Sequence, residues 1–191
     1  MGLTPASFEG SQRGRELLAR ISHLDTIDDR VEKLWLSDER GHDSYFLDEE
    51  NCSAYARLYL DEYRRQNGVQ CQACSSHARC LGLGTDGDGT PLAPFNRPLL
   101  VRLFRALPDG KGKARYFTAH LREILAALGQ GEDTLTCVGR YVRPELAVEH
   151  EDEDLARLAA LYGPLVTDER EVTLSAGLLQ AFGYPAHPLV L

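Results

Sequence analysis

Three of the five cysteines in this 191-residue chain fall within ten residues, in the segment CQACSSHARC. Cys71, Cys74 and Cys80 form a Cys-x2-Cys-x5-Cys pattern around His77. Thiolate and imidazole are the usual ligands of tetrahedral zinc, and two residues between cysteines let a tight turn aim both sulfurs at one ion. His77 and Cys80 stand at i, i+3 and share a face on a helical turn. The segment alone therefore offers a Cys3His zinc site. Only Ser75 and Ser76 separate its two pairs, which strains a tetrahedron and favours Cys52 as the fourth ligand. A closed four-ligand site is structural and contributes folding free energy rather than chemistry. The bland alternatives are a buried free thiol at Cys52, a solvated loop histidine at 77 and a core thiol at Cys137.

Other chemistry is poorly represented. The string DGDGT, with Asp86 and Asp88, matches the Asp-x-Asp-Gly-Thr nucleophile motif of haloacid-dehalogenase phosphatases. Its preceding LGLGT is broken by glycine, however, and does not suit the buried strand that such a nucleophile needs. As a calcium loop it has Pro91 where glycine is required. A plain Gly/Asp turn accounts for it. The sequence has no HExxH, no deaminase Pro-Cys-x-x-Cys, no GxxxxGK[ST] and no GxSxG. The acidic run EHEDED at 149–154 suits a solvated helix start. Catalysis is not expected.

The elements that must position the cysteine turn are mostly helical. Leu17, Leu18, Ile21 and Leu24 stripe an opening helix from about Ser11, and residues 31–36 with Tyr45 to Leu47 suggest a strand or hairpin. Asp48 is a plausible cap for a long helix carrying Cys52, Tyr55, Ala56, Tyr59 and Tyr63, closed by Asn67-Gly68. Asn96 can cap a helix with Leu99, Leu100, Leu103 and Phe104, and Phe117, Leu121, Ile124 and Leu125 stripe the next. Residues 134–142 read as the one clear strand. Leu155, Leu158, Ala159 and Tyr162 mark a helix stopped by Gly163-Pro164, and 175–182 a last short one. The expected fold is mainly α with a small β element, a metal-stabilised helical domain. Its expected parts are 1–92, bearing the cysteines, and 93–191, bearing a basic helix pair and an acidic segment.

Net charge is -8, with 43% hydrophobic and 26% charged residues, a balance that excludes collagenous, low-complexity and wholly disordered chains. No apolar run of membrane-spanning length occurs and the N-terminus lacks a secretory core, so a cytoplasmic protein with no membrane partner is expected. Eighteen basic residues are Arg and three Lys, a bias typical of GC-rich bacterial genes. Charge is polarised. Residues 97–122 carry Arg97, Arg102, Arg105, Lys111, Lys113, Arg115 and Arg122 against Asp109 alone, whereas 145–171 carry nine acids against Arg157 and Arg170. If their leucine stripes face the core, the basic helices present Arg97, Arg102, Arg105, Lys111, Lys113 and Arg115 to nucleic acid or a partner. The competing expectation is that these cations pair with the acidic segment.

The order LYLDEYRR, Cys-x2-Cys-x5-Cys, a Gly-rich loop, PFNRPLLVRLFRAL and FTAHLREILAAL resembles the lid and cysteine-turn region downstream of the ATPase core in large bacterial antiviral AAA-type ATPases. The resemblance covers about residues 45–128. Leu81 departs from it, where those proteins often place a histidine, and the nucleotide-binding core is absent. It implies a detached lid or adaptor module acting with an ATPase or assembly subunit, plausibly in defence, with Arg97, Arg102 and Arg115 as phosphate or partner contacts. Cys52 with Cys71, Cys74 and Cys80 also resembles the one-distant, three-close pattern of [4Fe-4S] cluster proteins, including iron-staple nucleases and actinobacterial WhiB-type regulators. That implies an iron-sulfur DNA-binding redox regulator as the alternative, although the Gly-Val-Trp-Gly-Gly turn of those regulators is missing, as are the nuclease motifs.

Overall fold

The computed structural model describes residues 12, 13, 15, 16, 47–108, 112–142, 150–165 and 172–191. The chain divides into two compact units, Met1–Tyr45 and Phe46–Leu191. In the first, Gln12, Arg13, Arg15 and Glu16 are helical, and Gln12 Nε2 donates to Glu16 Oε1 at 3.4 Å. The expected stripe at 17–24, the run at 31–36 and positions 45 and 46 lie outside the described residues.

In the second unit the described elements are α1 (Cys52–Gln66), a 3-10 turn (Cys71–Ala73), α2 (His77–Leu83), α3 (Arg97–Arg105), α4 (Lys113–Gly129), α5 (Thr134–Gly139), α6 (Glu153–Tyr162), β1 (Thr173–Leu174), α7 (Ala176–Ala181) and β2 (Leu189–Val190). The strands pair antiparallel, Thr173 opposite Val190 and Leu174 opposite Leu189. The unit is mainly helical with a small two-stranded sheet, and no described helix is long and apolar enough to cross a membrane.

Helix ends follow the side chains that satisfy orphan backbone N–H groups. Asn96 Oδ1 accepts the Leu99 N–H at 3.0 Å, Asp152 Oδ1 the Leu155 N–H at 3.0 Å and Ser175 Oγ the Leu178 N–H at 3.2 Å. Asp48 acts one turn earlier than expected: its Oδ1 takes the N–H groups of Glu50 and Asn51, and α1 begins at Cys52. At the far end Gly68 adopts φ +65° and Val69 N–H reaches back to Arg64 O at 2.9 Å, closing the helix as Asn67-Gly68 suggested.

The strand expected over 134–142 is a correction: residues 134–139 form helix α5. The alternation Thr134, Thr136, Val138 resembles a strand, but Asp133 Oδ2 accepts the Thr136 N–H at 2.8 Å and opens a helix there. Leu135, Cys137 and Val138 are then buried on its inner side. Local capping and tertiary burial outweigh β propensity here.

One core joins the helices. Leu47, Ala56 and Leu60 pack with Leu99, Leu100 and Leu103 of α3, Phe117, Leu121 and Ile124 of α4, and Leu158 and Tyr162 of α6. It thus draws on residues from both sides of position 92. Phe104 meets Phe117 edge-on with ring centroids 6.0 Å apart. The segment 93–96 is tied to the end of α6 by Tyr162 Oη donating to Pro94 O at 2.9 Å and Asn96 Nδ2 donating to Tyr162 O at 2.8 Å. Burial pushes the Tyr162 phenol far above its ordinary pKa, so it stays a donor.

α2 docks differently. It contributes no buried residue, and it meets α7 backbone to backbone: a Cβ added to Gly82 would lie 2.5 Å from Gly177 O. Arg79 Nη2 adds a bond to Ala181 O at 2.9 Å, where the C-terminus of α7 leaves a carbonyl to be satisfied.

Candidate metal centre

The cysteine segment folds as a run of tight turns. Cys74 N–H donates to Cys71 O at 3.1 Å, His77 N–H to Cys74 O at 3.1 Å, and Cys80 N–H to Ser76 O at 3.0 Å as α2 begins. Cys71 and Cys80 are partly buried and Cys74 is exposed. Burial raises the Cys80 pKa, and the neighbouring Cys74 and Cys71 add to the rise, so both lie within electrostatic reach of Cys80. Cys80 also borders a largely apolar groove of about 490 Å3 shared with Tyr63, Leu83, Pro94 and Leu128. His77 Nδ1 is buried and has no hydrogen-bond partner. Among the described residues, however, no three His, Cys, Asp or Glu side chains are gathered closely enough to hold one ion.

Cys52 is not part of this group. It opens α1 in the core with no exposed surface, its thiol approaches Glu49 O at 3.5 Å, and burial followed by the Glu49 carboxylate pushes its pKa up to about 11. The cysteine turn follows the other end of α1. Fifteen residues at 1.5 Å rise separate those ends by about 20 Å. The preference for Cys52 as fourth ligand is corrected by that separation, and Cys137 lies in the core on α5, its thiol 3.6 Å from Ile124 O.

The basic helix pair departs most from expectation. Arg102 is 4% exposed and donates through Nη1 to Leu161 O at 3.2 Å and Gly163 O at 2.6 Å, and through Nη2 to Pro164 O at 2.8 Å. These are carbonyls at and just beyond the C-terminus of α6, where the helix dipole favours a cation. Lys113 is also buried, its ammonium 4.3 Å from the centroid of the Phe104 ring. Arg105 pairs with Glu49 at 2.8 Å and lowers that carboxyl's pKa. Arg97 and Arg115 are exposed, and Lys111 lies outside the described residues. The expected outward display therefore fails at Arg102 and Lys113. For Arg102 the reason is that α3 is buried from Leu99 to Phe104 and has no wholly solvent-facing side there, and Lys113, at the start of α4, is covered against Phe104. The acidic segment is not the partner of Arg102 in these bonds; backbone carbonyls are.

The aspartates of DGDGT are held in a small ion network. Arg57 reaches Asp86 Oδ2 through Nε and Asp88 Oδ2 through Nη1, both at 3.1 Å, and Asp61 at 3.4 Å. The Thr90 N–H, followed by its hydroxyl and Arg57, lowers the Asp88 pKa. Arg64 Nη2 fastens the far side of the loop by donating to Pro91 O at 2.9 Å and Ala93 O at 3.0 Å. A turn pinned by α1 explains both carboxylates. Sequence reasoning missed Arg57 and Arg64, although their i, i+7 spacing places them on one side of α1.

A second concavity of about 870 Å3 lies between the end of α3, the middle of α4 and the turn after α5, with His120, Arg140 and Tyr141 in its wall. His120 Nδ1 is buried without a hydrogen-bond partner and burial lowers the ring's pKa. No protein-family model, curated protein or solved structure matches the chain.

Proposed function

We propose that the chain is a non-catalytic, metal-stabilised helical adaptor that binds zinc through Cys71, Cys74, Cys80 and His77 and acts with a protein partner in a multi-protein assembly. The observation that carries the metal is the thinness of the core beneath the cysteine turn: neither the 3-10 turn nor α2 contains a buried residue. A segment whose apolar anchor on the core, Leu83, is only partly buried needs another source of folding free energy, and a structural ion is such a source. The donor set is of the right chemistry, three thiols and an imidazole nitrogen with no other partner. Loading takes reorientation of these side chains on turns whose backbone hydrogen bonds are already made.

The adaptor reading is supported by the resemblance over about 45–128 and by the inward or paired roles of Arg102, Arg105 and Lys113, which favour a protein over nucleic acid as partner. Elemental analysis of the purified chain tests the metal. One equivalent of zinc, lost in Cys74→Ser and retained in Cys52→Ser, is the expected result. Absence of metal after purification with zinc supplied would remove the reading, and a brown iron-bearing protein would replace it with the iron-sulfur alternative.

A further inference from the structure

Besides offering ligands, the cysteine turn brings two thiols together in a way that needs no ion. Two successive hydrogen bonds, from Ala73 N–H to Gln70 O at 3.2 Å and from Cys74 N–H to Cys71 O at 3.1 Å, wind Cys71–Ala73 into a 3-10 turn that Cys74 closes. Side chains at i and i+3 eclipse on such a turn, and a rise of about 2.0 Å per residue sets the Cys71 and Cys74 Cα atoms about 6 Å apart. Disulfides join Cα atoms about 4.4–6.8 Å apart whose Cβ vectors do not diverge. Cys74 is exposed and Cys71 half-buried, whereas the thiols of Cys52 and Cys137 lie in the core against Glu49 O and Ile124 O. Cys80 stands beyond the Ser75-Ser76 turn, on α2, where it borders the apolar groove.

We propose that Cys71 and Cys74 form a thiol–disulfide exchange pair that takes a small disulfide of the glutathione class as its oxidant. Cys74 is the attacking group, because it is the more open of the two. Its thiolate attacks one sulfur of the incoming disulfide, whose S–S bond breaks; one half leaves as a thiolate and the other stays bonded to Cys74. The Cys71 thiolate then attacks the Cys74 sulfur and expels the second half, leaving a Cys71–Cys74 bond. The two cysteines are oxidised, the small disulfide is reduced to two thiols, and the protons that the cysteines lose end on those thiols. The exchange rests on the turn and not on the zinc reading. It belongs to the metal-free chain, since a thiolate held by an ion is not free to attack.

The test is incubation of the reduced, chelator-treated full chain with glutathione disulfide, followed by acid quenching and peptide mass spectrometry. The expected product is a disulfide within the peptide bearing Cys71 and Cys74, in about tenfold or greater excess over a glutathione adduct, because a thiol three positions away acts at a high effective concentration. Cys71→Ser should instead accumulate one glutathione on Cys74, and Cys80→Ser should leave the intramolecular product unchanged. Urea should shift the balance toward thiols and adduct about tenfold, because the unfolded chain no longer holds the pair on one turn. A persistent adduct on Cys74 in the unaltered chain, pairing of Cys71 or Cys74 with Cys80, or a balance indifferent to urea would overturn the proposal. Zinc content, measured separately on the untreated chain, bears on the metal alone, so either reading can fail without the other.

Discussion

Residues 70–83 and 97–105 stand close in sequence and satisfy their polar groups in opposite ways. The second segment is α3, buried from Leu99 to Phe104, and its one deeply buried cation, Arg102, donates hydrogen bonds to three carbonyls at the end of α6. The first has no buried residue, and its imidazole nitrogen at His77 is left without a partner. A polar side chain can be absorbed into a fold where apolar neighbours bring backbone acceptors to it. Where no such acceptor is brought to it, as at His77, the same kind of side chain keeps its capacity for an external ligand.

The comparison breaks most visibly at Arg102. Arg102→Met should cost about 3–5 kcal/mol, because it strips the donors from three carbonyls inside the protein and loses a cation from a helix C-terminus. Urea unfolding measures it. Arg102→Lys should recover little, since an ammonium cannot reproduce the planar fork that spans these acceptors. A surface arginine would cost under about 0.5 kcal/mol, so a small effect would return Arg102 to the exposed basic display that its sequence neighbourhood suggests.

Zinc is the corresponding handle on the cysteine turn. Free zinc at about one hundred times its dissociation constant should stabilise the chain by about 2.7 kcal/mol, and chelation should remove that increment. Cys74→Ser should abolish the zinc dependence. Cys52→Ser should destabilise through the core yet leave the dependence intact, which separates a ligand from a buried thiol. A melting temperature indifferent to zinc and chelator would show that the turn holds itself.

These two regions also mark what the sequence makes legible. Caps at Asn96 and the close at Asn67-Gly68 are local, and local chemistry determines them whatever the rest of the chain does. The stripes of α3, α4 and α6 are legible because their buried leucines and aromatics recur at helical spacing. Arg102 was hidden because its partners are backbone carbonyls some sixty positions away, and a tally of charges cannot see carbonyls. Residues 134–142 mislead because their alternation resembles a strand, while the cap that opens a helix, Asp133, stands just outside them. The separation of Cys52 from the turn was within reach of simple geometry, since the helix that joins them has a length.

A smaller effect tests how α2 is fastened. Gly82→Ala would place a methyl 2.5 Å from Gly177 O, and this neighbour is backbone that cannot swing aside. The expected cost is about 1–3 kcal/mol, bounded by the docking of α2 on α7 rather than by the whole fold. Hydrogen exchange should therefore quicken at 176–181 while 97–105 keeps its protection. Equal loss in both segments would mean that the two regions unfold as one and that the contrast between them is not energetic.

The smallest effect lies on the same helix as the largest. Arg105, three positions from Arg102, makes an exposed pair with Glu49, and the same charge there should matter little. A double-mutant cycle with Arg105→Gln and Glu49→Gln should give a coupling under about 1 kcal/mol, reduced further by salt. Its pH dependence has a definite sign. The side-chain hydrogen bond from Arg105 holds the Glu49 carboxyl below its ordinary value of 4.5. The folded state therefore binds fewer protons than the unfolded state in that range, so the contribution is present above the unfolded pKa and is lost as pH falls through the folded one. Glu49→Gln should flatten the acid limb of the stability profile slightly and leave neutral stability almost unchanged. A coupling of several kcal/mol would instead place Arg105 in the same buried class as Arg102, and burial would no longer be what distinguishes the two arginines.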